Sequence, residues 1–302
     1  MIRELEKQEF REMNAWSYSR LSLFKKDRLL YKKKYIDNES VKQTSTRAMI
    51  MGNLVDLLIS APDEFDDNFI CRPFSTPSGQ MKTYVEYLVE CYTNPSILGE
   101  ETAEQYAYRK AEFKRDNIDK VRQRFDKEGR DYYEVLVESL DKPIISPNER
   151  AKADQIITAL RNNTDTQFVF EQEKQKYLFN EDLNIKFCPD FIEGNLITDL
   201  KVVTNSPIDF QNNIRMFNYD IQGAVFSMGI DLDEVSYNNN FQFLVVNSEY
   251  PQYPVIWKFS NKDFLESKKM VENLMIEAKL REETNNWYQP IEGTTLETKL
   301  YE

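Results

Sequence analysis

The chain has 302 residues and not one histidine. That absence removes Ser-His-Asp and Cys-His triads, HExxH zinc sites and any hydrolase whose base is imidazole. Cysteine is almost as scarce. Cys71, Cys91 and Cys188 stand far apart, giving neither a disulfide framework nor a zinc cluster, and three thiols are too few for a four-cysteine iron–sulfur site. No run of about 18 apolar residues occurs, so no membrane span is expected. The opening stretch Met1–Phe10 is charged throughout and does not read as a signal peptide. Together these point to a reducing, cytoplasmic setting with no membrane partner. Glycine is sparse at 8 residues, while 19 Phe, 17 Tyr and 3 Trp argue for a packed globule rather than disorder.

Without imidazole or clustered thiolate, acid–base and metal chemistry falls to Asp, Glu, Lys and Tyr, whose oxygen ligands suit Mg²⁺ or Mn²⁺. The net charge of −12 runs against a nucleic-acid partner, since phosphate contacts draw on a basic surface. The charge is uneven, however. Lys25 to Lys34 forms a basic block, and Arg109 to Arg130 is rich in Lys and Arg. Each reads equally well as a solvated helix face or as a local channel for DNA.

Periodicity predicts a helix from a Ser17 cap to about Tyr35 and a second from Thr46 to Ser60. A short strand is expected near Asn68–Arg72, then a highly charged helical stretch from Ser78 to Leu140. Ser146 and Glu149 form a capping box with Pro147 at the first helical position, opening a helix to about Asn163. Strand-like segments follow at Gln167–Phe179, Asn184–Ile192 and Leu196–Val203. A helix from Ser206 to Met228, strands at Phe241–Asn247 and Val255–Phe259, and a helix over Lys262–Glu283 complete the pattern. The expected fold is α/β, a mixed central β-sheet flanked by helices with a helical insert. The expected division is an N-terminal helical part (1–75), a helical insert or arm (76–145), a catalytic core (146–283) and a polar C-terminal tail (284–302).

The most informative stretch runs from Glu173 to Lys201. Pro189 and Asp190 end one extended segment, and Asp199 and Lys201 share one face of the next. Between them Ile192–Asn195 reads as a hairpin turn, with Gly194-Asn195 able to take positive φ. A tight hairpin brings Asp190 towards Asp199 and Lys201. Two carboxylates so close repel, and a divalent cation is the natural way to keep both ionised. A lysine beside them can orient or help deprotonate a water and offset charge on a phosphate, which is the equipment for phosphodiester hydrolysis. Glu173 is the natural additional carboxylate, though Glu171 shares its strand face and parity alone does not choose between them. Tyr219, Gln222 and Phe226 fall on one helical face, Gln222 being the better site candidate of the three.

These residues resemble the PD-(D/E)XK nuclease superfamily, in particular phage-type exonucleases similar to exonuclease VIII (RecE) and, more distantly, lambda exonuclease and the RecB nuclease domain. The resemblance runs from about Ser17 to Phe226. Trp16 to Leu21 looks like a Ser-x-Ser-x-Leu helix entry, Arg47 to Phe65 like a segment bearing a metal ligand, and Glu173 to Tyr177 and Lys186 to Asp190 like the next two blocks. Asp199-Leu200-Lys201 is similar to the family signature, and Tyr219 to Phe226 to its Tyr-x-x-Gln helix. Two positions depart from the pattern: Asp56 stands where a histidine ligand is expected, and Phe226 where an aromatic hydroxyl is common.

The resemblance implies a restriction-endonuclease-like core and a Mg²⁺-dependent deoxyribonuclease, with Mn²⁺ able to substitute. It implies catalytic roles for Asp190, Asp199, Lys201, Glu173 and Gln222, and metal ligation by Asp56, Asp190 and Asp199. Ser17, Ser19, Arg20 and Tyr219 become candidate substrate contacts. It further implies double-stranded DNA ends as substrate, 5′→3′ polarity, a homo-oligomeric ring and a single-strand annealing protein as partner in recombination. The rival expectations are a structure-specific endonuclease on the same core, or a catalytically silent DNA- or protein-binding module.

Overall fold

The computed structural model describes residues 1–40, 45–113, 117–140, 142–230 and 240–288. In chain order the elements are β1 (Ile2–Glu4), α1 (Lys7–Glu12), α2 (Tyr18–Lys26), α3 (Arg28–Tyr35), α4 (Arg47–Ser60), α5 (Phe65–Asn68), β2 (Ile70–Cys71) and α6 (Gly79–Thr93). Then follow α7 (Ala103–Lys110), α8 (Ile118–Arg124), α9 (Arg130–Glu138), β3 (Ile144–Ile145), α10 (Pro147–Asn162), β4 (Glu173–Lys174), β5 (Leu178–Asn180) and β6 (Ile185–Phe187). The chain continues through β7 (Phe191–Glu193), β8 (Leu196–Val203), α11 (Phe210–Met216), α12 (Tyr219–Gly229), β9 (Phe241–Asn247), β10 (Val255–Lys258) and α13 (Asn261–Thr284). Among the described residues no helix is long and apolar enough to cross a membrane.

The fold is mixed α/β, as the patterning predicts. By compactness the chain divides into two units: one combines Met1–Gly52 with the chain from Ile156 onward, and the other is Asn53–Gln155. Most of the expected C-terminal tail, residues 289–302, lies outside the described residues. Trp287, just before it, is buried and its ring centroid lies 5.9 Å from that of Tyr31.

In the first unit a five-stranded sheet has the order β10-β9-β8-β7-β4. Only the β8–β9 pair is parallel, with Asp199 opposite Phe243 and Lys201 opposite Val245. A parallel pair needs a crossover, and α11 and α12 supply it. β7 and β8 form the expected hairpin, with Phe191 opposite Thr198, and Gly194 takes φ +57° at the turn. β1, β5 and β6 make a separate three-stranded sheet. The core joins Phe187, Phe210, Phe226, Phe241 and Phe243 to apolar residues of α2, α12 and α13. Gly223 sets how closely α12 lies on the sheet, because a Cβ there would stand 2.5 Å from the Phe259 ring.

Four expected elements are subdivided: Asn184–Ile192 divides between β6 in the three-stranded sheet and β7 in the five-stranded one, and three others break for a local reason. The helix from Ser17 to Tyr35 breaks at Asp27, which leaves helical geometry and caps α3 by accepting from the Leu30 amide at 2.8 Å. Gln167–Phe170, strand-like in composition, forms a 3-10 turn. The helix expected from Ser206 to Met228 breaks at Asn218, which adopts the left-handed conformation at φ 56°.

The second unit is helical, with a parallel β2–β3 pair. Tyr84, Val85, Leu88, Ala107, Val121 and Tyr132 build a core of its own. The Ser146 capping box forms as predicted: its amide and hydroxyl both meet the Glu149 carboxylate, at 2.8 and 3.0 Å.

Candidate active site

β8 is the middle strand of its sheet, and its residues Ile197–Leu200 are buried on both faces, so any charge there must be compensated by neighbours. Asp199 is 2% exposed and its carboxylate forms an ion pair with Lys201, two residues along the same face. The other Asp199 oxygen, Oδ1, accepts a hydrogen bond of 2.6 Å from Nε2 of Gln222 on α12. Lys201 Nζ sits 4.6 Å from the centroid of Tyr219 and 5.7 Å from that of Phe243, so aromatic faces complete its surroundings.

Asp190 occupies the bend just before β7. Extending the β7–β8 register by one residue sets it opposite Asp199. Its Oδ2 accepts from the backbone amide of Leu200 at 2.7 Å, which brings the carboxylate against the strand between Asp199 and Lys201. The hairpin thus brings Asp190, Asp199 and Lys201 together, and α12 adds Gln222.

The electrostatics follow from burial and charge. Burial pushes the Asp199 carboxyl above its ordinary value, opposed by the Lys201 ammonium and the Gln222 amide. Burial works to lower the Lys201 value, but Asp199 and Asp190 outweigh it and the ammonium is held above its usual range.

Asp190 and Asp199 offer hard oxygen atoms, the donor type that Mg²⁺ and Mn²⁺ take. Gln222 Oε1 is buried with no hydrogen-bond partner among the described residues, so a further oxygen donor lies next to Asp199. No group of three or more His, Cys, Asp or Glu side chains suited to a metal comes together among the described residues. Two carboxylates nevertheless suffice for Mg²⁺, which keeps several waters and shares its ligands with substrate phosphate oxygens. The residues present fit such an ion.

Other expected site residues are placed differently. Glu173 is exposed on the edge strand β4 and pairs with Lys176 at 2.8 Å, not with the aspartates or Lys201. Glu171 is also exposed, following the 3-10 turn. Ser17 caps α2, accepting from the Arg20 amide at 3.3 Å, and its hydroxyl lies 3.2 Å from that of Ser19. Arg20 is turned inward: it is 6% exposed, donates to the Tyr31 hydroxyl at 2.9 Å and to Glu282 at 3.1 Å, and lies against the Trp16 ring. Asp56 lies half-buried on α4 within the helical unit, beside the buried Leu54, Val55, Leu58 and Ile59. Phe226 is core, packed on Phe187 and Phe241.

Sequence reasoning passed over Tyr18. Burial raises its hydroxyl well above the usual value, and Lys201, Tyr219 and Asp199 are the charges it feels. Its hydroxyl donates to the carbonyl of Phe217 at 2.8 Å, so α2 is tied to the turn that precedes α12. The only trace in sequence is its place inside the Ser17–Ser19 motif, which carries no distinguishing pattern.

Residues 19–290 match the family described as a PDDEXK-like domain of unknown function (DUF3799), and the chain belongs to that family. A solved structure titled "Putative exonuclease" from Eubacterium rectale is similar at 16% sequence identity, covering 94% of this chain and 88% of that one with a TM-score of 0.50. That likeness concerns the fold. No curated protein matches the chain. Family and site geometry together support a nuclease, a hydrolase of phosphodiester bonds.

Proposed function

We propose that this PD-(D/E)XK-like protein is a divalent-metal-dependent deoxyribonuclease that removes nucleotides from the ends of double-stranded DNA. The observation that carries the reading is the buried Asp199–Lys201 pair at the hairpin, flanked by Asp190 and steadied by Gln222. A lysine folded against a carboxylate in a sheet interior is costly without a use, and such groups concentrate where charge develops in a reaction.

Asp190 and Asp199 would hold Mg²⁺, with Mn²⁺ as a substitute. When bound, the ion supplies Lewis-acid stabilisation of the phosphate and a water of lowered pKa. Lys201 adds a fixed positive charge for a phosphate oxygen, and the Gln222 amide fixes the rotamer of Asp199. The ligand role of Asp56 belongs to the same proposal and is tested by Asp56→Asn. So do 5′→3′ polarity, a ring-shaped homo-oligomer and a single-strand annealing partner, which rest on the resemblance, and a cytoplasmic setting, which rests on the scarcity of cysteine.

The test is digestion of linear and covalently closed duplex with Mg²⁺, with Mn²⁺ and with EDTA. Loss of linear DNA alone, abolished by EDTA and by Asp199→Ala, supports the reading. Cleavage of the closed circle makes the protein an endonuclease on the same core. Binding without cleavage of either makes it a silent module and overturns the proposal.

A further inference from the structure

The end of α11 and the turn that follows it carry side chains at odds with an acidic chain. Met216 is 71% exposed and Phe217 48% exposed, side by side in sequence. Arg215, immediately before them, is exposed and makes no ion pair with any described residue. Single exposed apolar residues are ordinary, but an arginine, a methionine and a phenylalanine presented together ask for a ligand with a flat apolar face and negative charge.

The segment is also held firmly. The left-handed Asn218 reverses the chain between the helices. From α2, the Tyr18 hydroxyl donates to the Phe217 carbonyl at 2.8 Å, and Ser22 Oγ accepts from Asn218 Nδ2 at 3.2 Å. Tyr18 and Ser22 are four residues apart on one helical face, so α2 grips both sides of the turn. A pinned backbone presents its exposed side chains at little entropic cost.

Position relates the turn to the site. The Phe217 ring centroid lies 5.6 Å from that of Tyr219, and the Tyr219 centroid 4.6 Å from Lys201 Nζ. Phe217 therefore stands one ring beyond the aromatic face that carries the lysine, on the same side of the site.

We infer that the Arg215–Phe217 turn holds the substrate nucleotide: Phe217, flanked by Met216, stacks on the base whose phosphate meets Lys201, and Arg215 pairs with a neighbouring phosphate. The inference rests on the nuclease reading for its occupant. Every base offers a π-face, so the contact is tolerant of sequence, and it requires a base unstacked from its duplex neighbour.

The test places 2-aminopurine at the end of a short duplex and measures its fluorescence on the Asp199→Ala protein, with and without Phe217→Ala, alongside steady-state kinetics in the active background. Stacking quenches the probe with Asp199→Ala and not with the double variant. Phe217→Ala raises KM roughly 5- to 150-fold, the span of base–aromatic stacking, with a smaller change in kcat. Phe217→Tyr keeps the quench, which separates stacking from a folding defect, and Arg215→Gln lowers the slope of binding against salt by about one. Equal quenching and equal KM in Phe217→Ala overturn the inference while cleavage by wild type leaves the nuclease reading standing. If wild type cleaves nothing, the nuclease reading fails, and the quench difference still decides the stacking contact. A patch that instead drives self-association, seen as a mass change in Phe217→Ala by sedimentation with the probe signal unaltered, also overturns it.

Discussion

In the helical unit Arg109, Arg122 and Arg130 lie on the surface against Glu101, Glu104 and Asp126, whereas in the sheet-bearing unit Arg20, Arg281 and Lys201 are folded beneath it. The first set consists of lateral pairs between exposed side chains, which gain little over water. The second set is desolvated and locked by specific acceptors: Arg281 meets Glu277 at 2.8 Å, and Arg28 reaches the same carboxylate at 2.7 Å from α3. The comparison explains why a basic stretch in the sequence is a poor guide to a DNA channel. Arg109, Arg122, Arg124 and Arg130 of that basic stretch are each paired with a nearby carboxylate, while the lysine of the candidate site is a single residue in an apolar strand.

The sharpest way to break this contrast is at the site. Asp199→Ala or Lys201→Ala should lower the rate of duplex digestion by about 10²- to 10³-fold or more, measured in single turnover. A rate within a few-fold of wild type would put the buried pair on a par with the surface ones. The next effect is on stability. Glu277→Ala leaves Arg281 buried without its carboxylate and should cost about 3 kcal/mol in urea denaturation, whereas pairs that merely decorate a surface cost far less.

The same glutamate gives a pH signature. Burial acts to raise the Glu277 value, but Arg28 and Arg281 overcome it and hold the carboxyl below its ordinary range. Its contribution is therefore complete above the unfolded-state value and is lost as pH falls through the lower, folded-state value. Glu277→Gln should flatten the acid limb of a stability-against-pH curve. A smaller effect is expected at Tyr18→Phe, which deletes one hydrogen bond to the Phe217 carbonyl at a cost of about 1 kcal/mol by thermal melting. Smallest of all, Arg122→Ala should change stability by no more than about 0.5 kcal/mol, and a larger loss would mean that the helical unit depends on its charges after all.

The site was more legible than its surroundings because a β-strand writes its facing into the sequence. Alternation placed Asp199 and Lys201 on one face, Gly194 marked the hairpin that brings Asp190 to them, and helical spacing picked out Gln222. Alternation does not say whether a strand is central or at an edge, and for that reason Glu173 read as an additional carboxylate beside Asp190 and Asp199. It lies on the outermost strand, where a lysine three residues on satisfies it. Arg20 shows a different limit: whether an arginine faces solvent or three aromatic rings is set by partners its own segment does not announce, here Tyr31 on the next helix and the distant Glu282. The breaks at Asp27 and Asn218 interrupt otherwise unbroken helical patterns, and each is decided by one polar residue whose capping or left-handed conformation outweighs propensity.

Gly223 follows Gln222 directly and packs where even a methyl group would run into Phe259. An alanine there would act as a shim under the helix, lifting the neighbouring amide away from the carboxylate it steadies. The reach of a side chain in the reaction centre is thus set by one missing carbon on the far side of the same helical turn, and a substitution that touches no charged group could uncouple the two.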